Sequence, residues 1–173
     1  MKWKGCVLMS FKEISAKDIK ENLISMIADE WMLVCAGDSE ACNMMTASWG
    51  FLGEMWNKDC AVAVVRPSRY TYEFLEKNEY FALCFMGERK DIHKICGSQS
   101  GRDIDKIEAT GLTPVYQDGT VYFEESRVVL ICRKLYAADL EPSAFIDKNA
   151  LDSYGGTNYH RAFVGEIVKV LAK

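Results

Sequence analysis

Apolar residues recur along this chain in short runs: Trp31 to Ala36, Met45 to Phe51, Cys60 to Arg66, Tyr80 to Met86, Thr120 to Glu124, Val128 to Tyr136 and Ala162 to Leu171. Rich in valine, cysteine and aromatics, and alternating in places with polar residues, they predict about seven strands. Helical periodicity is sparser. Ala16 to Ala28 carries Ile19, Leu23 and Ile27 on one face but is interrupted by Asn22, while Tyr70 to Lys77, Glu88 to Cys96 and Asp103 to Thr110 are short. Strands that are not separated by long helices argue against a doubly wound parallel sheet; the expected fold is mainly β, an antiparallel barrel with a few peripheral helices. Glu141 to Tyr159, with Pro142, Gly155 and Gly156, is the most irregular stretch, a loop expected to cover a site or meet another subunit.

Composition narrows the picture. With 173 residues, 49% of them hydrophobic, and no repeat or linker, residues 1–173 are expected to form a single domain around one core. A net charge of −4 argues against a broad nucleic-acid surface, so any phosphate ligand is expected to be bound locally. The longest apolar stretch, about Cys60 to Val65, falls far short of the roughly 20 residues of a membrane helix. The N-terminus lacks an apolar signal core and a cleavage site, and the protein is expected in the cytoplasm. Seven cysteines without a C-x-x-C pair point to reduced core thiols, with Cys96, next to Gly97, Ser98 and Ser100, expected to be the exposed one. Two histidines are too few for a histidine-rich metal site, and no metal is expected.

The candidate chemistry lies in four segments. Asn43-Met44-Met45-Thr46-Ala47-Ser48-Trp49-Gly50 sets small hydroxyl residues and backbone beside an indole, which suits edge-on hydrogen bonding to a planar heterocycle; Met44 and Met45 are expected to pack. Arg66-Pro67-Ser68-Arg69-Tyr70-Thr71 ends a strand with two guanidinium groups and opens a helix with Ser68 as the expected N-cap, which suits an anion. Ser98 to Lys106 offers Ser100, Arg102 and Lys106, with Asp103 as the expected cap of a further helix. His160 stands just before the alternating run that follows it, where a role in proton transfer is not expected. A Walker P-loop, a G-x-G-x-x-G turn and a G-x-S-x-G nucleophile elbow are all missing from the sequence.

In order and spacing, N-M-M-T-A-S-W-G, A-V-A-V-V-R-P-S-R-Y-T-Y-E-F-L, S-G-R-D-I-D-K and H-R-A-F-V-G-E-I resemble the flavin reductase-like proteins with an FMN-binding split barrel, and especially their flavoredoxin branch. The resemblance spans Trp31 to Val168. It implies a six-stranded antiparallel split barrel, a homodimer, and FMN near the subunit interface. By motif position, Asn43, Thr46, Ala47, Ser48 and Trp49 would line the isoalloxazine. Arg66, Ser68, Arg69, Tyr70 and Thr71 would hold the phosphate end, with Ser100, Arg102 and Lys106 as further pocket residues. His160 matches a histidine on the nicotinamide side. The implied activity is NAD(P)H-dependent reduction of flavin or another acceptor, in which the cofactor supplies the redox chemistry and no catalytic side chain is required. A flavoredoxin-type electron carrier with a redox partner protein, and a flavin-binding protein that catalyses nothing, are the alternatives. Lys106, as a cation near the ring, is expected to raise the flavin potential.

Overall fold

The computed structural model describes residues 10–173. Strand β1 (Lys12–Ile14) is followed by a 3-10 turn (Ala16–Asp18), a helical turn α1 (Leu23–Ser25) and a π-helical turn (Met26–Glu30), in place of the single helix predicted over Ala16 to Ala28. Asn22 is the reason. Its side chain accepts from the amides of Ile24 and Ser25, starting a new helix where the old one would have continued. Then come β2 (Met32–Gly37), β3 (Cys42–Ala47), β4 (Gly50–Met55), β5 (Lys58–Val65), α2 (Tyr70–Lys77), β6 (Tyr80–Phe85), α3 (Lys90–Ser98), α4 (Lys106–Thr110), β7 (Pro114–Gln117), β8 (Thr120–Phe123), β9 (Val128–Asp139) and β10 (Arg161–Ala172).

All pairings are antiparallel, and the main sheet runs β3-β2-β6-β9-β10-β5-β4, with β1 added to β10 and β7–β8 as a separate hairpin. Central strands β2 and β6, and β9 over Val128 to Cys132, are apolar on both faces because each face meets a core. Val34, Leu83 and Leu130 point into one cluster with Phe81, Phe85 and Phe163. Leu33, Cys84 and Val129 point into a second one, covered by α3 and the β7–β8 hairpin. Two-sided burial makes these strands read as unbroken apolar runs. Cys35, Cys60, Cys84, Cys96 and Cys132 are all buried, so Cys96 is not the exposed thiol that its polar neighbours suggested. Burial pushes the Cys96 thiol up to about 11.

End strands β3 and β4 are joined only by Ser48 and Trp49, so the path must curl until its two ends meet. Gly50 permits the turn, since a Cβ there would stand 2.3 Å from the Val62 carbonyl oxygen. The pairing is nonetheless open, with no ladder between β3 and β4 or β5 among the described residues. β4 and β5 form a hairpin through Trp56 and Asn57, both at φ 56°, the two-residue loop whose twist suits antiparallel strands. On the outward face the register aligns Phe51, Val62, Val164 and Tyr136 across four strands. Phe51 and Tyr136 are more than half exposed there, as is Trp56 beside them. No helix of the described residues is long and apolar enough to cross a membrane.

Candidate functional site

The gap in the sheet lies along the free edge of β3. Asp38 N–H donates to the Ala41 carbonyl at the hairpin tip, and from that pair the register alternates hydrogen-bonded and non-hydrogen-bonded pairs down to Met32 and Ala47. Cys42, Met44 and Thr46 therefore turn their backbone N–H and C=O groups away from β2, toward the gap. One of those carbonyls has a partner: Lys106 Nζ donates to Met44 O at 2.9 Å. α2 and α3 pack on the two sides of this strand.

Beyond Asn43 and Met45, a cavity of about 220 Å³ is bounded by Ser68 to Thr71, Ser98 to Gly101 and Lys106. Arg69 donates to the carbonyls of Gly97 (3.0 Å) and Cys96 (3.3 Å), and Lys106 Nζ shares the Cys96 carbonyl at 3.0 Å. These two cations are thus gathered by the last turn of α3, where the helix dipole favours positive charge. Neither forms an ion pair with a carboxylate among the described residues, although the chain carries a net charge of −4. Lys106 is 4% exposed, and burial lowers its affinity for a proton, as it does for Arg69. The N-terminus of α2 opens on the same cavity with the amides of Tyr70 and Thr71 lacking helical partners. Thr71 Oγ1 accepts from Asn43 Nδ2 at 2.8 Å, and Gly101 closes the wall, since a Cβ there would stand 2.1 Å from Asn43 Oδ1. Two cations, free helix amides and neighbouring hydroxyls have the chemistry to receive an anion.

Past Met45 the cleft continues into a second cavity of about 320 Å³, lined by Thr46, Ala47, Ser48, Trp49, Val64, Arg66 and His160. Trp49, 46% exposed, lies 5.0 Å from the His160 ring and edge-on to Tyr154. His160 Nδ1 is 2.9 Å from the Tyr154 hydroxyl, and burial, assisted by the charge on Arg66, depresses the imidazole to about 4. Arg66 is held by the loop: it donates to the carbonyls of Ser153 (2.8 Å) and Asn158 (3.4 Å), with its guanidinium carbon 5.0 Å from the centre of the Tyr154 ring. The irregular segment thus holds Arg66 in place at the wall of this cavity.

The four predicted segments converge, with some changes of place. Arg66, expected with the anion, lies in the aromatic cavity, and Asn43, expected at the heterocycle, lies in the cationic one. Lys106 stands with Arg69 and away from Trp49. Arg102 lies outside both cavities, over the Tyr70 ring and paired with Glu73 at the rim of a wider cleft of about 490 Å³. Ser68 does not cap α2; the capping position is Arg69, and Ser68 is engaged by Asn158, whose side chain accepts from its amide and donates to its hydroxyl. Asp105 rather than Asp103 caps α4, accepting from the amides of Ile107 and Glu108. Ser100 Oγ accepts from the Arg102 amide at 3.2 Å. Three residues at the site have no counterpart in the sequence reading: Tyr154, Asn158 and His93, whose ring meets Thr46 from α3. Only His93 left a signal, as a histidine on the apolar face of a short helix together with Ile92 and Cys96.

Residues 24–173 match the model of the flavin reductase like domain. Among solved structures, the chain is similar to a flavoredoxin from Methanosarcina acetivorans, at 21% identity and a TM-score of 0.67 over 83% of this chain and 68% of that one. It is also similar to an FMN-binding protein from Thermus thermophilus with bound 1-cyclohex-2-enone, at 21% identity and 0.65 over 93% and 80%. A third similar structure is an NADH:FAD oxidoreductase of Streptomyces globisporus in complex with NAD and FAD fragments, at 14% identity and 0.61 over 82% and 73%. No protein of curated function matches the sequence.

Proposed function

Because the chain belongs to the flavin reductase-like family, we propose that the cleft along β3 holds FMN and that the protein is an NAD(P)H-dependent flavoprotein oxidoreductase built on a split barrel. The observation that carries this reading is the pair of cations without carboxylate partners, Lys106 and Arg69, at one end of a cleft whose other end is aromatic and uncharged apart from the arginine bound to its own loop. A mononucleotide flavin has that polarity, an anionic end and a flat end. FMN held there would supply the redox chemistry, two-electron exchange between a nicotinamide donor and an acceptor.

The remaining work falls to the chain. Arg69, Lys106 and the α2 amides hold the phosphate by charge-assisted hydrogen bonds. Thr46 N–H and C=O and Met44 N–H, turned to the free edge of β3, orient the edge of the ring system. Trp49 would border its face, with Tyr154 edge-on behind the indole. His160 is neutral at pH 7, so it offers a hydrogen bond there and not a charge. The protein is purified without added flavin, its absorbance recorded from 300 to 550 nm, and NADH or NADPH added without oxygen. Flavin bands that bleach are expected. Bands that persist until a partner protein delivers electrons would favour the electron carrier, and failure to bind FMN after reconstitution would sink the reading.

A homodimer with the flavin near the interface belongs to the same proposal. Its support is the apolar outward row Phe51, Val62, Val164 and Tyr136, which borders the end strand β4 and leads through Trp49 to the aromatic cavity. Sedimentation equilibrium at micromolar concentration is expected to give twice the chain mass, and Phe51→Glu to give a monomer with weakened FMN binding. A wild-type monomer would refute it.

A further inference from the structure

His93 is 1% exposed, and its ring makes one polar interaction, with Thr46. Thr46 Oγ1 lies 3.1 Å from His93 Nδ1 and donates its proton to the His93 carbonyl at 3.0 Å. A hydroxyl has one proton to give, so Nδ1 carries the ring hydrogen and donates to Oγ1. Nε2 is then a bare acceptor, buried without a partner among the described residues, and the imidazole stands edge-on to the Trp31 indole with the two ring centres 5.8 Å apart. A leucine would fill this space without orphaning a polar atom. The histidine's polarity is therefore spent on Thr46 alone.

Thr46 carries the backbone groups that face the aromatic cavity, while the next turn of α3 carries the Cys96 and Gly97 carbonyls that gather Arg69 and Lys106. Gly97 in this turn faces the strand at contact distance, its Cβ position lying 3.4 Å from the Thr46 Cβ. One clamp thus ties the helix that holds the cations to the strand that presents the free edge. We propose that His93 is a positioning residue that, through Thr46, sets the spacing between the ring end and the phosphate end of the cleft. The proposal rests on reading the cleft as a flavin site.

A ligand that engages both ends gains from their spacing, whereas one that engages a single end does not. On the full chain, fluorescence titrations with FMN and with riboflavin are compared. His93→Leu is expected to weaken FMN about tenfold, the order of one well-placed hydrogen bond, with riboflavin changed by less than about threefold. His93→Asn, whose amide can donate to Thr46 from the place of Nδ1, should recover most of the FMN affinity. In a Thr46→Val background, His93→Leu should add little. Equal weakening of both ligands, an unaltered FMN affinity, or an Asn variant no better than Leu would overturn the positioning role while leaving the flavin reading intact. A wild-type protein that binds neither ligand would overturn both. Should His93→Leu not fold, Thr46→Val alone must show the same FMN-selective loss.

Discussion

Replacing Lys106 with methionine is expected to weaken FMN about a hundredfold and to leave riboflavin nearly unaffected. Methionine keeps the length and packing of the buried stem but removes the charge. A buried, charge-assisted contact to a phosphate contributes about 2–3 kcal/mol, which is the stated loss. Stability should change less, because two effects oppose. The carbonyls of Met44 and Cys96 lose their shared donor, at about 1–3 kcal/mol for each buried acceptor left bare, although Arg69 still reaches Cys96. Against that, the chain no longer buries a cation that its surroundings disfavour. Titrations with the two flavins, alongside urea unfolding, read both quantities. From the sequence, Lys106 was expected at the ring, where its loss would lower the reduction potential; its place beside Arg69 favours a role at the proposed anion end instead. A shifted potential with unchanged FMN affinity would reverse that assignment.

Acid is expected to destabilise the protein well before its carboxylates protonate. Burial is the main reason that both His93 and His160 are held near a pKa of about 4, with the charges on Lys90 and Arg66 adding to it. Unfolded, each would titrate near 6.5. Between those values the unfolded chain binds more protons than the folded one, so the stabilisation is complete above about pH 6.5 and is lost as the pH falls toward 4. Two buried rings shifted this far contribute on the order of 3 kcal/mol each. Urea midpoints at pH 7.5, 5.5 and 4.5 should fall steadily, and the double variant His93→Asn/His160→Asn, less stable at neutral pH, should show a much flatter decline. An equally steep decline in the double variant would place the acid sensitivity elsewhere.

The parts of the fold legible in the sequence are those in which local pattern and burial agree. β2 and β6 are apolar on both faces and were found to within one residue at each end, while β9, apolar on both faces only to Cys132, was found from its start but ended three residues short. β4 was seen only in its first residues, merged with β3, because Gly53, Glu54 and Met55 face outward and supply no core pattern. Its hairpin turn was hidden because Trp56 and Asn57 hold positive φ without a glycine. β7, paired only with β8, was missed for a similar reason. At the site, the four segments and their convergence were legible. Their division into ends was not, because it depends on how far the sheet curls between Ala47 and Gly50. Arg66 changes ends because the loop supplies two carbonyls and an aromatic face for its guanidinium, partners more than eighty residues away that no local motif announces.

An end strand with open amides also invites other chains to add to it, and here that hazard is contained by construction. β3 is six residues long, and of the three residues turned outward, Met44 has its carbonyl covered by a buried ammonium group. A stranger's strand needs an unbroken row of acceptors and donors, and it would have to displace that charge to obtain one. The groove can therefore stay accessible to a small flat molecule while refusing a polypeptide. Lys106 thus closes part of an edge that another strand could extend, besides lining the pocket.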